Sequence, residues 1–140
     1  MSSAPPQIQT LRKAVQKLES AKEELQRPEE DVMAFSICTQ IRQSLNGLFR
    51  TYLSFRERTV EDQESLESLF NRCKAMCDDF GYLNISKVIC NAGMPNAANE
   101  GCLGPTHCMS FEDYSQKVTF ANSVKEIVFN QMRLSEKDLA

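Results

Sequence analysis

Apolar side chains recur at steps of three and four residues through several separate stretches of the chain, with polar breaks between them. From Ile8 the series Ile8, Leu11, Val15, Leu18 and Leu25 alternates three- and four-residue steps, with Lys22 at one seam position. That spacing predicts an α-helix with a narrow apolar stripe. Ala14 and Ala21 flank the stripe, and side chains this small let a neighbouring helix come close. Pro28 ahead of Glu29, Glu30 and Asp31 has the form of a helix start: proline at the first helical position loses no hydrogen bond, and carboxylates favour the positive end of the helix dipole. The second helix is expected to run from there to about Arg56. Its stripe of Ala34, Ile37, Ile41, Leu45, Leu48, Tyr52 and Phe55 is widened by Phe35, Cys38, Phe49 and Leu53. A face that broad predicts a central helix touched on several sides.

Thr59 with Asp62 three residues on resembles a capping box, and Leu66, Leu69, Phe70, Cys73, Cys77 and Phe80 follow at helical spacing, predicting a third helix that ends near Asp79 and Gly81. Asn84 is placed to cap a short helix carrying Ile85, Val88 and Ile89. Residues 91–109 then lose all periodicity, with Gly93, Pro95, Gly101, Gly104 and Pro105 punctuating a stretch poor in large side chains; this is expected to be a loop. A loop of that length inside a compact domain is uncommon and is usually functional or mobile. Ser110 is expected to cap a closing helix with Tyr114, Val118, Ala121, Val124, Val128 and Met132 on its inner face. The predicted fold is all-α, an up-and-down helical bundle of four long helices plus one short helix. Residues 8–134 form a single domain, between a flexible segment at 1–7 and a tail at 135–140.

Composition narrows the functions available to such a bundle. At 140 residues, 41% hydrophobic and 25% charged, the chain can bury one core without metal or disulfide support. The net charge of −3 is unevenly spread: residues 1–60 hold nine Lys/Arg against seven Asp/Glu, and residues 61–140 hold seven against twelve, so +2 − 5 = −3. Without a concentrated basic run, charge does not support nucleic-acid binding, although a small basic patch is compatible with it. No apolar run approaches the roughly 18 residues that a membrane span needs, and Met1 to Pro6 lacks the hydrophobic segment of a signal peptide. The expectation is a cytoplasmic protein with no membrane partner, whose six cysteines are reduced thiols.

Four groups of residues could carry chemistry. Cys73 and Cys77 are spaced C-x3-C on an apolar stripe, which reads as core packing rather than as a metal or redox pair. Cys90, Cys102, His107 and Cys108 offer thiolate and imidazole ligands within a Gly/Pro-rich loop and form a candidate zinc set, though their spacing matches no common finger. His107 is also the only histidine, so acid–base catalysis would run through it or through a carboxylate. Arg42, Asn46 and Arg50 recur every four residues along the second helix, a polar row able to pair with phosphate or with a partner's carboxylates; its alternative reading is a solvated face. No P-loop, H-E-x-x-H or oxyanion turn is present, and no cofactor is expected.

In order and character, these elements resemble the HEPN family of helical bundles over residues 8–134. The likeness is carried by Ile37 to Leu53, which looks like the family's long helix, and by Ser65-Leu66-Glu67-Ser68-Leu69, similar to its short leucine-bearing segment. Where the family often has Glu and Lys in the long helix, Arg42 and Asn46 stand here. HEPN ribonucleases carry Arg-x4–6-His, but the positions preceding His107 at those distances are Cys102, Gly101 and Glu100. The resemblance therefore implies a non-catalytic member that dimerises or pairs with a nucleotidyltransferase, as in toxin–antitoxin systems. The expected function is a non-catalytic interaction module that self-associates or binds a helical protein partner. The rivals are a ligand- or RNA-processing enzyme with its site at the 91–109 loop, and a small zinc-binding domain.

Overall fold

The structure is a computed structural model and describes residues 6–83 and 111–139. Among these residues the fold is all-α, with four α-helices and no strand: α1 (Pro6–Leu25), α2 (Ala34–Phe55), α3 (Leu66–Met76) and α4 (Phe111–Met132). The short helix expected after Asn84, the 91–109 loop and the Ser110 cap lie outside the described residues. α2 is central, sharing its most extensive interface with α1 and packing also on α3 and α4, as its broad apolar face predicts. Leu11, Leu18, Ile37, Ile41, Leu45, Leu48 and Leu53 are fully buried, and Val118, Ala121, Val124 and Val128 of α4 close over them.

α1 and α2 come together through small residues. Ala14 and Ala21 are buried, and a Cβ added at Gly47 would stand 2.8 Å from the Ala14 Cβ. On the α3 side the packing is aromatic. Phe49 meets Phe70 and Phe80 edge-on at 5.9 and 6.5 Å between centroids, Tyr52 meets Phe80 at 5.3 Å, and Phe70 reaches Phe120 of α4 at 6.1 Å.

Three helix boundaries differ from the sequence pattern. Glu29–Asp31 form a separate 3-10 turn, and Val32 and Met33 are extended before α2 begins at Ala34. Val32 packs half-buried on the core, and the Met33 N–H donates to the Glu24 carboxylate at 2.9 Å, so tertiary contacts override the local start signal. Thr59 does not cap α3. Ser65 does, its hydroxyl accepting from Ser68 N at 3.1 Å, while the Thr59 carbonyl accepts from Arg72 Nη2 at 2.6 Å. α3 itself stops at Met76, and Cys77 is extended ahead of a 3-10 turn at Asp78–Tyr82 that delivers Phe80 to the core.

α2 and α4 end alike. Glu57 and Arg133 both have positive φ, 59° and 57°. Arg58 N donates to the Leu53 carbonyl and Leu134 N to that of Phe129, while Glu57 N and Arg133 N reach Ser54 and Asn130. This is the Schellman arrangement, usually built on glycine. Beyond α4, Ser135 N donates to the Asp138 carboxylate at 2.7 Å, opening a 3-10 turn at Glu136–Leu139. Leu139 is buried, and its carbonyl accepts from Arg12 Nε at 2.8 Å, so this one residue of the tail joins the core.

Cys73 is fully buried and Cys77 half-buried, both free thiols packed on the core. Cys73 Sγ donates to the Phe49 carbonyl at 3.8 Å, and burial pushes its thiol up to about 12, so it stays protonated and unreactive near neutrality. Cys38 is buried on α2. Among the described residues, no helix is long and apolar enough to cross a membrane.

Candidate functional site

Helical periodicity places Arg42, Asn46 and Arg50 on one side of α2, and the structure sets that row beside α1. Because Ala14 and Gly47 let the two backbones approach, the polar rows on either side of the contact become neighbours. Lys13 and Lys17 of α1 share a cavity of about 330 Å³ with Arg42, Asn46 and Arg50, its floor formed in part by Ala14 and Gly47. Four cationic side chains therefore meet on one face of a chain whose net charge is negative.

The row is partly fixed in place. Arg50 Nε donates to Asn46 Oδ1 one turn earlier, and Arg50 Nη2 donates to the Asp62 carbonyl at 3.0 Å. This second bond holds the linker after α2 against the helix. Glu64 anchors the same linker further along: it accepts from Arg72 Nη1 at 2.7 Å and Ser68 Oγ at 2.7 Å, and from Glu61 N at 3.4 Å. Burial pushes the Glu64 carboxyl up, but the hydrogen bonds from Ser68 and Arg72 outweigh it, and its pKa lies below the usual carboxylate value. A carboxyl lowered on folding adds stability above its unfolded pKa, and that stability is lost as pH falls through the folded value.

Two further cavities adjoin the row. One, about 470 Å³, lies between Arg42, Asn46, linker residues Asp62 to Ser65 and Leu66 at the start of α3, so that two acidic residues, Asp62 and Glu64, share its lining with Arg42. The other, about 560 Å³, is lined by Thr10, Arg50, Thr51, Ser54, Arg58, Thr59 and Val60, with no carboxylate among them. Arg42, Asn46 and Arg50 are thus brought together as expected of one helix face. His107, Cys90, Cys102 and Cys108 lie outside the described residues. Among the described residues, no group of three or more His, Cys, Asp or Glu is placed to hold a metal ion.

The contribution of Lys13, Lys17, Thr51 and Arg58 was not foreseen in the sequence pattern. Part of the signal was there: Lys13 and Lys17 are one turn apart and border Ala14, the position already marked for close approach. Arg58 and Thr51 carry no such mark, because the turn at Glu57 decides where Arg58 points. Comparison of the chain with protein-family models, curated proteins and solved structures gives no match.

Proposed function

We propose that the chain is a non-catalytic helical interaction module that self-associates through the basic α1–α2 face. The observation that carries this reading is the gathering of Lys13, Lys17, Arg42 and Arg50 around the Ala14–Gly47 crossing. Of these, Lys13, Lys17 and Arg42 make no ion pair among the described residues. Cations assembled on a rigid helix pair steer and orient an acidic partner. A second copy supplies such a partner, since residues 61–140 carry twelve carboxylates against seven bases, and Glu67, Asp78 and Asp79 are exposed. The HEPN-like version of this reading, a component paired with a nucleotidyltransferase, places the acidic surface on a different helical protein.

Sedimentation velocity on the full chain, at low and high salt, tests the proposal. The expected result is a concentration-dependent dimer that weakens with salt and weakens about tenfold in the double variant K13E/R42E, a change of roughly 1.4 kcal/mol. A monomer under all conditions, or a dimer indifferent to the double charge reversal, overturns self-association through this face.

A further inference from the structure

The cavity between α1, the end of α2 and the following linker differs in chemistry from the open basic face beside it. Its volume of about 560 Å³ lies within the range of small-molecule sites, roughly 300–1,000 Å³. Two arginines and four hydroxyl-bearing residues line it: Arg50, Arg58, Thr10, Thr51, Ser54 and Thr59.

Thr51 sharpens the reading. The residue is 1% exposed, and its Oγ1 has no hydrogen-bond partner. A threonine within a helix ordinarily bonds its hydroxyl to the carbonyl one turn back, and a buried hydroxyl left unpaired is costly. Ser44 is likewise buried and unpartnered, but it lines none of the three cavities described above. Thr51, unlike Ser44, is a residue of this cavity's wall.

The arginines retain the donors an oxyanion needs. A guanidinium has five N–H groups. Arg50 commits one to Asn46 and one to the Asp62 carbonyl, so 5 − 2 = 3 remain, on a side chain already held still. The Arg58 guanidinium makes no ion pair among the described residues. Its place at the rim is set by the turn at Glu57, through the bond from Arg58 N to the Leu53 carbonyl. Planar guanidinium forks match phosphate oxygens.

We propose that this cavity is a binding site for the phosphate group of a small polyol-type metabolite, with Arg50 and Arg58 holding the phosphate and Thr51 Oγ1 adding a hydrogen bond. A polyol fits better than a nucleobase, because among the described residues no aromatic ring lines the cavity and Val60 is the one apolar side chain. Hydroxyls both donate and accept, so Thr10 and Thr59 suit the hydroxyls of such a ligand.

The test is a titration of the full-length, isotope-labelled protein followed by amide chemical shifts, with inorganic phosphate, glucose 6-phosphate and glucose as probes. Saturable shifts are expected at Thr51, Ser54 and Thr59, with glucose 6-phosphate binding more tightly than phosphate and glucose causing none. Arg58→Ala should weaken glucose 6-phosphate binding about tenfold or more, as loss of a charge-assisted contact does. Thr51→Val should weaken it about fivefold without lowering the thermal midpoint, since it removes a hydroxyl that is unpaired in the free protein.

K13E/R42E, which disrupts the self-association face, should leave sugar-phosphate binding within about twofold, because its charges lie outside the cavity and are screened by salt. The two proposals therefore fail separately. Absence of saturable shifts, an affinity for glucose 6-phosphate unchanged in Arg58→Ala, or shifts centred on Lys13 and Lys17 would overturn the site. Equal affinity for phosphate and glucose 6-phosphate would overturn the polyol assignment.

Discussion

α2 is packed on two flanks by opposite means. Against α1 it uses the smallest side chains available, Gly47 facing Ala14. Against α3 and the turn beyond it, Phe49 and Tyr52 interlock with Phe70 and Phe80. The aromatic flank fills space with apolar volume and locks the helices together through many dispersion contacts. The small-residue flank leaves little room for side chains between the helices, so the polar rows bordering the contact are drawn together. Lys13 and Lys17 thereby join Arg42 and Arg50. One flank is a source of stability, while the other shapes a surface.

Phe49→Ala should show the largest effect, because Phe49 is fully buried and takes part in two edge-on ring contacts. A loss of about 3–5 kcal/mol in urea-unfolding free energy is expected. If the loss were under about 1 kcal/mol, the aromatic flank would not be the stabilising one.

Gly47→Ala tests the other flank. The new methyl would lie 2.8 Å from the Ala14 Cβ, so the helices must part. Overpacking of this kind costs about 1–3 kcal/mol, offset by about 1 kcal/mol of improved helix propensity. Ala14→Gly in the same chain removes the collision, so a double-mutant cycle should show a coupling of order 1 kcal/mol. Strict additivity would mean that the crossing is not close, and the gathering of the basic rows would then need another cause.

The small-residue flank was the more legible in sequence. Ala14 and Ala21 marked it, and the four-residue repeat of Arg42, Asn46 and Arg50 placed one polar row on one side of α2. The apolar periodicity likewise identified the helices and most of the core. Boundaries set by tertiary contacts were hidden. Pro28 and three acids form a sound local start signal, yet a 3-10 turn and two extended residues intervene before α2. Ser65, not Thr59, caps α3, because Arg72 takes the Thr59 carbonyl and Arg50 that of Asp62, drawing the linker along the outside of both helices. The 560 Å³ cavity depends on that linker path and on the turn at Glu57, and neither has a periodicity to betray it.

That turn carries the smallest expected effect and the one that bears most directly on the surface. Glu57 has φ 59°, a left-handed conformation that costs an ordinary L-residue roughly 1 kcal/mol or more because its Cβ crowds the backbone. Glycine escapes the crowding but loses more entropy on folding, so the two terms partly cancel. Glu57 is exposed, and its side chain makes no ion pair among the described residues. Glu57→Gly should therefore raise stability by about 0.5–1 kcal/mol, read as a higher urea midpoint at unchanged slope. The two Schellman hydrogen bonds it supports, Glu57 N to Ser54 and Arg58 N to Leu53, should persist as slow amide exchange at both positions. The matching change at Arg133, where φ is 57°, should act in the same direction at the end of α4. If Glu57→Gly instead lowered stability while Arg133→Gly raised it, the Glu57 side chain would have to be making a contact of its own, and the position of Arg58 would depend on that contact rather than on backbone geometry.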